Sequence, residues 1–129
     1  MEQVPIDDYE IPLSKAEVLR RGSDLTVVSW GTPIYNCESA LELLAKPPQS
    51  ISQHVPQSVR SAKVELIDLR TIMPWDVDTV VESVQRTGRL VVVHEAGRIG
   101  GVGAEISAEI LKKCFLKLNA PVKLVTGWE

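Results

Sequence analysis

The sequence predicts an α/β fold, in which helices cover both faces of a largely parallel sheet. Short apolar, β-branched runs alternate with segments of helical apolar spacing, and glycine or proline marks the junctions. Strands that alternate with helices favour parallel pairing and right-handed crossovers. The predicted strands are DLTVVSWG (24–31), KVELIDLR (63–70), RLVVVHEA (89–96) and PVKLVTGW (121–128).

Three helices are predicted between these strands. The first has apolar residues at helical spacing and ends before Pro47. The second is VDTVVESVQRTG (77–88), with Asp76 or Asp78 as its N-terminal cap and Gly88 as its stop. The third is GAEISAEILKKCFLKL (103–118). Residues that define the first helix are Ala40, Leu41, Leu43 and Leu44.

Two segments carry no clear periodicity. Residues 1–23 contain Pro5 and Pro12 and are predicted to be an extended lead-in, with a single turn in SKAEVLRRG (14–22) that Gly22 closes. Residues 24–129 would then form the domain. Residues 46–62 contain three prolines and four serines, so we expect a surface loop with a solvated His54.

Composition excludes several classes of protein. The 129 residues are 44% hydrophobic and 24% charged, which is typical of one globular domain. The net charge is −3 and the cations are dispersed, so neither nucleic acid nor a membrane surface is an expected partner. Cys37 and Cys114 lack metal-ligand spacing and a disulfide framework, so we expect them to be core residues in a reducing compartment.

A glycine-rich turn follows the third predicted strand and opens the third helix. Such turns can hold a phosphate, but the spacing of Gly97, Gly100, Gly101 and Gly103 departs from the dinucleotide-binding pattern. The sequence therefore favours glycines that permit positive φ and close approach of helix and strand. A regulatory nucleotide-binding domain is the alternative.

Polar pairs stand at the ends of two predicted strands, where open α/β sheets usually build their sites. His94 and Glu95 are neighbours in a strand and would face opposite sides, so a structural or interface hydrogen bond is expected for His94. Asp68 and Arg70 are spaced to form an ion pair beside the following loop. No nucleophile with a base and no metal cluster is evident, so the residues by themselves predict no autonomous catalytic site.

Several motifs, in their order and spacing, resemble the carboxy-terminal domain of the β subunit of branched-chain 2-oxo acid dehydrogenases. The pyruvate dehydrogenase β subunit is the nearest alternative. The resemblance covers nearly all of the chain outside residues 46–62. The motifs are YEIPLSKAEVLRRGSDLTVVSWGT (9–32), IDLRTIMPWDVDTV (67–80), TGRLVVVHEA (87–96), GAEI (103–106) and APVKLVTGW (120–128).

The resemblance implies a three-layer α/β/α domain like the transketolase carboxy-terminal domain, with a mixed, mainly parallel sheet of about five strands. The fifth strand would come from the lead-in near YEIPL (9–13) or be absent. In such enzymes thiamine diphosphate and magnesium support oxidative decarboxylation and acyl transfer to lipoyl groups. The resemblance places both cofactors outside this chain, and it implies an inactive, excised domain because Met1 directly precedes a mid-subunit sequence and related chains run on past TGWE.

The resemblance also implies partners. These are the α subunit and a second β subunit in a heterotetramer, and the subunit-binding domain of the lipoyl acyltransferase core, all in the mitochondrial matrix. A free-standing adaptor is a third reading. The expected interface residues are Asp68, Arg70, His94, Glu95, Gly100 and Gly101, with Thr126, Gly127, Trp128 and Glu129 near the docking region.

Overall fold

The computed structural model describes residues 5–128 and has the predicted α/β/α architecture. A five-stranded sheet forms the middle layer, in the order β1-β3-β2-β4-β5. The strands are β1 (Glu17–Arg20), β2 (Leu25–Ser29), β3 (Val64–Asp68), β4 (Leu90–Val93) and β5 (Lys123–Val125). The helices are α1 (Pro33–Ala45), α2 (Gln49–Ser52), α3 (Gln57–Arg60), α4 (Val77–Thr87) and α5 (Val102–Cys114), and a 3-10 turn (Phe115–Lys117) follows α5.

The four predicted strands are confirmed and pair in parallel, β3 with β2, β2 with β4, and β4 with β5. The fifth strand is β1, which pairs antiparallel with β3 at one edge. It lies downstream of YEIPL, and the single turn predicted for residues 14–22 is wrong. Part of the predicted lead-in therefore belongs to the sheet. Val18 pairs with Ile67 and packs against the main core, a contact that no local pattern could indicate.

The larger core lies between the sheet and helices α4 and α5. Val28, Ile67 and Val92 supply it from the sheet, and Val84 and Ile110 supply it from the two helices. All five are fully buried. Since helix stability in proteins comes mainly from such packing, this face anchors the domain.

A buried polar network joins the sheet to α4. The hydroxyl oxygen of Thr26 lies 2.6 Å from that of Ser83 and 2.8 Å from that of Thr87. Arg86 donates to both carboxylate oxygens of the buried Glu65 at 2.6 Å. Burial raises the pKa of Glu65, but hydrogen bonds from Arg86 and the Gly22 N–H outweigh it and hold that pKa below its usual range. The paired charges fix α4 against β3.

The opposite face has a smaller core beneath α1. Its buried members are Val27, Cys37, Val64 and Leu66. Cys37 and Cys114 are both free and buried, one on each face, which confirms that they are core residues. Burial raises the pKa of each thiol.

The segment 46–62 differs from the predicted loop. It contains the single-turn helices α2 and α3, each preceded by a proline, Pro48 and Pro56. Neither helix buries a residue, so the segment does lie on the surface, and His54 is exposed as expected. The side chain of Arg60 donates to the carbonyls of Val55 and Ser52 and so ties the two turns together.

Helix α4 has the predicted ends. The Asp76 carboxylate accepts the Thr79 N–H at 3.1 Å as the N-terminal cap, and Gly88 ends the helix with φ of 69°. None of the described helices combines the length and hydrophobicity needed to cross a membrane.

Candidate functional site: the carboxyl edge of the sheet

The loops that follow β2, β3, β4 and β5 meet at one edge of the sheet, which we call the carboxyl edge. The Leu69 N–H donates to the Ser29 carbonyl at 3.0 Å, and the Ser29 hydroxyl donates to the Val93 carbonyl at 2.9 Å. The His94 N–H donates to the Val125 carbonyl at 3.0 Å. Hydrogen bonds therefore connect the carboxyl ends of all four parallel strands.

His94 is the central buried side chain of this edge. It lies just beyond β4, is 4% exposed, and stacks on Trp30 with ring centroids 5.5 Å apart and planes 12° apart. Neither ring nitrogen has a hydrogen-bond partner among residues 5–128. A structural hydrogen bond to the ring is thus not formed within this part of the chain, and the interface hydrogen bond stays a prediction. The observed contacts of the ring are packing contacts with Trp30 and the glycine turn.

The glycine turn makes room for this ring. A Cβ at Gly103 would lie 2.4 Å from Nε2 of His94, and one at Gly101 would lie 2.7 Å from its Cε1. Gly100 has φ of 73°, which favours glycine. A Cβ at Gly101 would also lie 2.7 Å from the Gly97 carbonyl oxygen, so the two ends of the turn, Gly97 and Gly101, lie close together. These contacts support a packing role for the glycines and not a phosphate-binding role.

The loop after β4 lies directly against the chain that leaves β5. The Gly127 N–H donates to the Ala96 carbonyl at 3.1 Å, and a Cβ at Gly127 would overlap the Glu95 carbonyl oxygen. Glu95 is exposed, whereas Thr126 and Gly127 are half-buried. The predicted interface residues of these two segments therefore adjoin, except Glu129, which lies outside the described residues.

Asp68 and Arg70 do not form the predicted ion pair. The Asp68 carboxylate accepts the backbone N–H of Arg70 at 2.9 Å, and the Arg70 guanidinium pairs with Glu17 of β1 instead. Arg70 has φ of 57°, so the extended alternation on which the prediction depended ends before this residue. The pair with Glu17 fastens β1 to the loop after β3.

Large apolar side chains project from three loops of the carboxyl edge. Met73, Ile99 and Trp128 are 89%, 87% and 99% exposed. Sequence reasoning named Trp128 but missed the other two, which were recognisable only as isolated apolar residues within turn-rich segments. Because these three loops end at the same edge of the sheet, the exposed side chains are candidate anchors for another protein surface.

Residues 5–128 contain no group of three or more histidine, cysteine, aspartate or glutamate side chains that could hold a metal ion. The arrangement at the carboxyl edge is one of packed rings, glycine backbone and exposed apolar groups. It is suited to contact with another protein surface.

Residues 14–129 match the family model of the transketolase carboxy-terminal domain, so the chain belongs to that family. It is similar to the mitochondrial 2-oxoisovalerate dehydrogenase subunit beta of Dictyostelium discoideum, with 48% identity over 100% of this chain and 32% of the relative. The corresponding subunit of Chaetomium thermophilum is 50% identical over 99% of this chain and 25% of its own.

The pyruvate dehydrogenase E1 component subunit beta of Staphylococcus epidermidis is 42% identical, over 98% of this chain and 35% of its own. A solved structure described as a split gene transketolase, an inactive beta4 tetramer, superposes with a TM-score of 0.67, 24% identity, and coverage of 97% of this chain and 35% of its own. That likeness supports the fold. The chain spans about a third or less of the length of these proteins.

Proposed function

We propose that this chain is the carboxy-terminal assembly domain of the β subunit of a thiamine diphosphate-dependent branched-chain 2-oxo acid dehydrogenase. Identities of 48% and 50% to 2-oxoisovalerate dehydrogenase β subunits, against 42% to a pyruvate dehydrogenase β subunit, support the branched-chain assignment. The whole enzyme would oxidatively decarboxylate branched-chain 2-oxo acids and pass the acyl group to lipoyl groups. The names of the eukaryotic relatives support a place in mitochondria.

The proposed role of this domain is structural, and by itself it would be inactive. Thiamine diphosphate and magnesium belong to the proposed whole enzyme. A Cβ at Gly101 would meet His94 and the Gly97 carbonyl oxygen, which supports a packing role for the glycine turn and not a diphosphate-binding role. The turn instead shapes the surface on which Ile99 is displayed.

The observation that carries the proposal is the exposure of Met73, Ile99 and Trp128 on hydrogen-bonded loops of the carboxyl edge. Preorganised apolar anchors give affinity because little entropy is lost when they are buried. We propose that this edge contacts the α subunit, the second β subunit, or the subunit-binding domain of the lipoyl acyltransferase.

An exchange of Ile99 tests this surface. Surface plasmon resonance would measure binding of the chain to an immobilised α subunit and, separately, to an acyltransferase subunit-binding domain. Ile99→Asp should weaken at least one of these interactions by about tenfold or more, because burying a carboxylate in an apolar contact is costly.

Leu116→Asp is the matched control. Leu116 is 92% exposed and lies in the turn after α5, away from the carboxyl edge. The Leu116→Asp variant should bind both partners as tightly as the unchanged chain does. Equal losses in both variants would contradict the proposal. An unchanged chain that binds neither partner and also sediments as a monomer, which would exclude the second β subunit, would contradict it as well.

A further inference from the structure

The parallel strands all begin at the edge of the sheet opposite the carboxyl edge, which we call the amino edge. The N–H of Asp24 donates to the Lys63 carbonyl at 2.9 Å, and the N–H of Thr26 donates to the Arg89 carbonyl at 3.0 Å. Hydrogen bonds therefore join the segments that lead into β2, β3 and β4.

The fold collects at this edge cations that are dispersed along the sequence. Because β1 is antiparallel to β3, its chain leaves the sheet here, at Arg21. Across the sheet follow Lys63 before β3, Arg89 before β4 and Lys123 at the start of β5. All four residues are exposed. Since neighbouring strands lie about 4.8 Å apart, these cations form a row about 19 Å long.

Two more charges belong to this row. Asp24 precedes β2, the middle strand, and its carboxylate accepts the Lys63 N–H at 2.7 Å. Lys117 is exposed next to the start of β4, because its carbonyl oxygen would lie 3.1 Å from a Cβ at Gly88. Positive charge therefore stands on both sides of one central carboxylate. The members of this amino-edge row are Arg21, Lys63, Asp24, Arg89, Lys117 and Lys123.

Three cations of the row have no partner. Arg21, Lys117 and Lys123 form no ion pair with any of residues 5–128. Cations stabilise the C-terminal ends of helices, but Arg21 and Lys123 lie at strand ends, so that role does not account for them. Like charges one strand apart repel each other, since salt screens fully only beyond about 8 Å. The row is therefore a favourable place for negative charge from another molecule.

The charges on either side of the row are mixed. On the α1 side, Glu42 and Lys46 are both exposed at the end of that helix. On the α5 side, Glu109 pairs with Lys112 at 3.9 Å and with Lys113 at 3.4 Å. A broad anionic surface such as a bilayer would meet these acids as well, whereas a narrow extended chain can follow the row alone.

The central carboxylate favours a polypeptide over a nucleic acid. A nucleic acid carries a phosphate at every nucleotide and would place one against Asp24. A polypeptide can present acidic residues at its two ends and a neutral residue in between. The acidic residues of this chain's own first segment do not match, because Asp7, Asp8 and Glu10 lie within about 10 Å of extended chain, half the length of the row.

An apolar contact lies beside the row. Phe115 and Leu116 are 68% and 92% exposed in the turn that leads to Lys117. Apolar side chains next to complementary charge add affinity to charge recognition. A segment that fits this edge therefore carries an apolar residue beside its acidic ones.

We propose that the amino-edge row binds one extended acidic segment of another protein, which differs from this chain and from the partners proposed for the carboxyl edge. The segment has acidic residues at both ends of a neutral centre and an apolar residue that contacts Leu116. This inference is independent of the proposed function of the carboxyl edge.

Binding of a synthetic acidic peptide tests the proposal. The probe is a peptide of about eight residues, long enough to span the row, with a pair of glutamates at each end, a neutral centre and one leucine. It is labelled at its N-terminus and titrated with the chain by fluorescence anisotropy. We expect saturable binding that Lys117→Glu weakens by about tenfold, because an attraction becomes a repulsion.

Arg98→Glu is the matched control. It makes the same change in net charge at an exposed position of the carboxyl edge and should leave binding within about twofold. Thermal melts by circular dichroism would verify that both variants are folded. A peptide of the same composition with its glutamates moved to the centre should bind at least about threefold more weakly, because they would meet Asp24.

Several results would overturn the proposal. An unchanged chain that does not bind the probe, or a Lys117→Glu chain that binds it equally well, would exclude the row as the site. Equal binding of the two peptides would exclude the alignment along the row. Tighter binding of phosphatidylserine vesicles or of a single-stranded oligonucleotide would assign the edge to a membrane or a nucleic acid, and tighter binding of a peptide of residues 5–13 would assign it to a second copy of this chain.

Discussion

At the scale of single residues, the carboxyl edge depends on a close fit between His94 and two glycines. Trp30 stacks on the imidazole, and the start of α5 lies against the edge of the ring that carries Nε2. Gly101 and Gly103 are required because a methyl group at either position would enter the ring. Sequence reasoning anticipated a close approach by these glycines, but Trp30 is too far away in the chain to be recognised as the stacking partner.

Gly103→Ala tests this fit. Alanine is about 1 kcal/mol more favourable than glycine inside a helix, but overpacking a filled site costs roughly 1–3 kcal/mol. The new Cβ would lie 2.4 Å from Nε2 of His94, a ring that is buried and stacked on Trp30. A contact this short places the overpacking cost in the upper part of that range. After the gain from alanine, the free energy of unfolding in urea should fall by about 1–2 kcal/mol.

Gly97→Ala is the control for this exchange, because its Cβ would lie 3.9 Å from the nearest atom, the Trp128 carbonyl oxygen. It should change stability by less than about 0.5 kcal/mol. A Gly103→Ala chain as stable as the unchanged one would mean that His94 does not fill the space beside α5. In a His94→Ala background, Gly103→Ala should cost less than it does in the unchanged chain if the clash is the cause of the loss.

At the scale of elements, Asp76 joins the start of α4 to the segment that precedes β1. Its carboxylate accepts the N–H of Thr79 at 3.1 Å, the Thr79 hydroxyl at 2.8 Å and the N–H of Ala16 at 3.0 Å. Burial raises the pKa of Asp76, but these hydrogen bonds outweigh it and the pKa lies below its ordinary value. The sequence predicted Asp76 or Asp78 as the cap, and the structure selects Asp76. The contact with Ala16 has no local signal in the sequence.

Asp76→Asn should therefore reduce stability in a pH-dependent way. A carboxyl group whose folded pKa is lowered adds stability that is complete above its unfolded value of about 3.9 and is lost as the pH falls through the folded value. Near pH 7 we expect a loss of about 1 kcal/mol. The difference from the unchanged chain should shrink between about pH 5 and pH 2.

Urea unfolding at a series of pH values measures this difference. Asp78→Asn, at an exposed position in the first turn of the same helix, is the control and should cost less. If Asp76→Asn lowers the free energy of unfolding by the same amount across this pH range, the effect comes from changed packing or hydrogen bonding and not from the lost charge.

At the scale of the whole molecule, the two faces of the sheet are unequally covered. Ten buried residues form the core beneath α4 and α5, and four form the core beneath α1. Helix α1 buries three of its 13 residues, Pro33, Ile34 and Cys37, and has no side-chain hydrogen bond at its N-terminal cap. Because local stability follows buried apolar contact, α1 is expected to open more readily than α4 or α5.

Native-state hydrogen exchange measures this inequality. The amides of α1 should exchange at least about tenfold faster than those in the centres of α4 and α5, which corresponds to about 1.4 kcal/mol in local opening free energy. Similar protection in all three helices would show that the partly covered face is as stable as the covered one.

Much of the sheet could be predicted because its strands are defined by short-range patterns. LVVV at Leu90–Val93 is apolar on both faces, and the order of strands and helices requires parallel pairing. That order also placed Asp68, His94 and Gly127 at one edge, since parallel strands end together. β1 was missed because its four residues have no strong alternation and depend on pairing with β3.

The sequence by itself determined the α/β class, the four parallel strands and the stop at Gly88, because each depends on the periodicity and backbone preferences of adjacent residues. Only the tertiary structure decided the position of β1, the pairing of Arg70 with Glu17 and the stacking of His94 on Trp30. These features join residues far apart in the chain, and their free energy comes from surfaces that exist only after the sheet has formed.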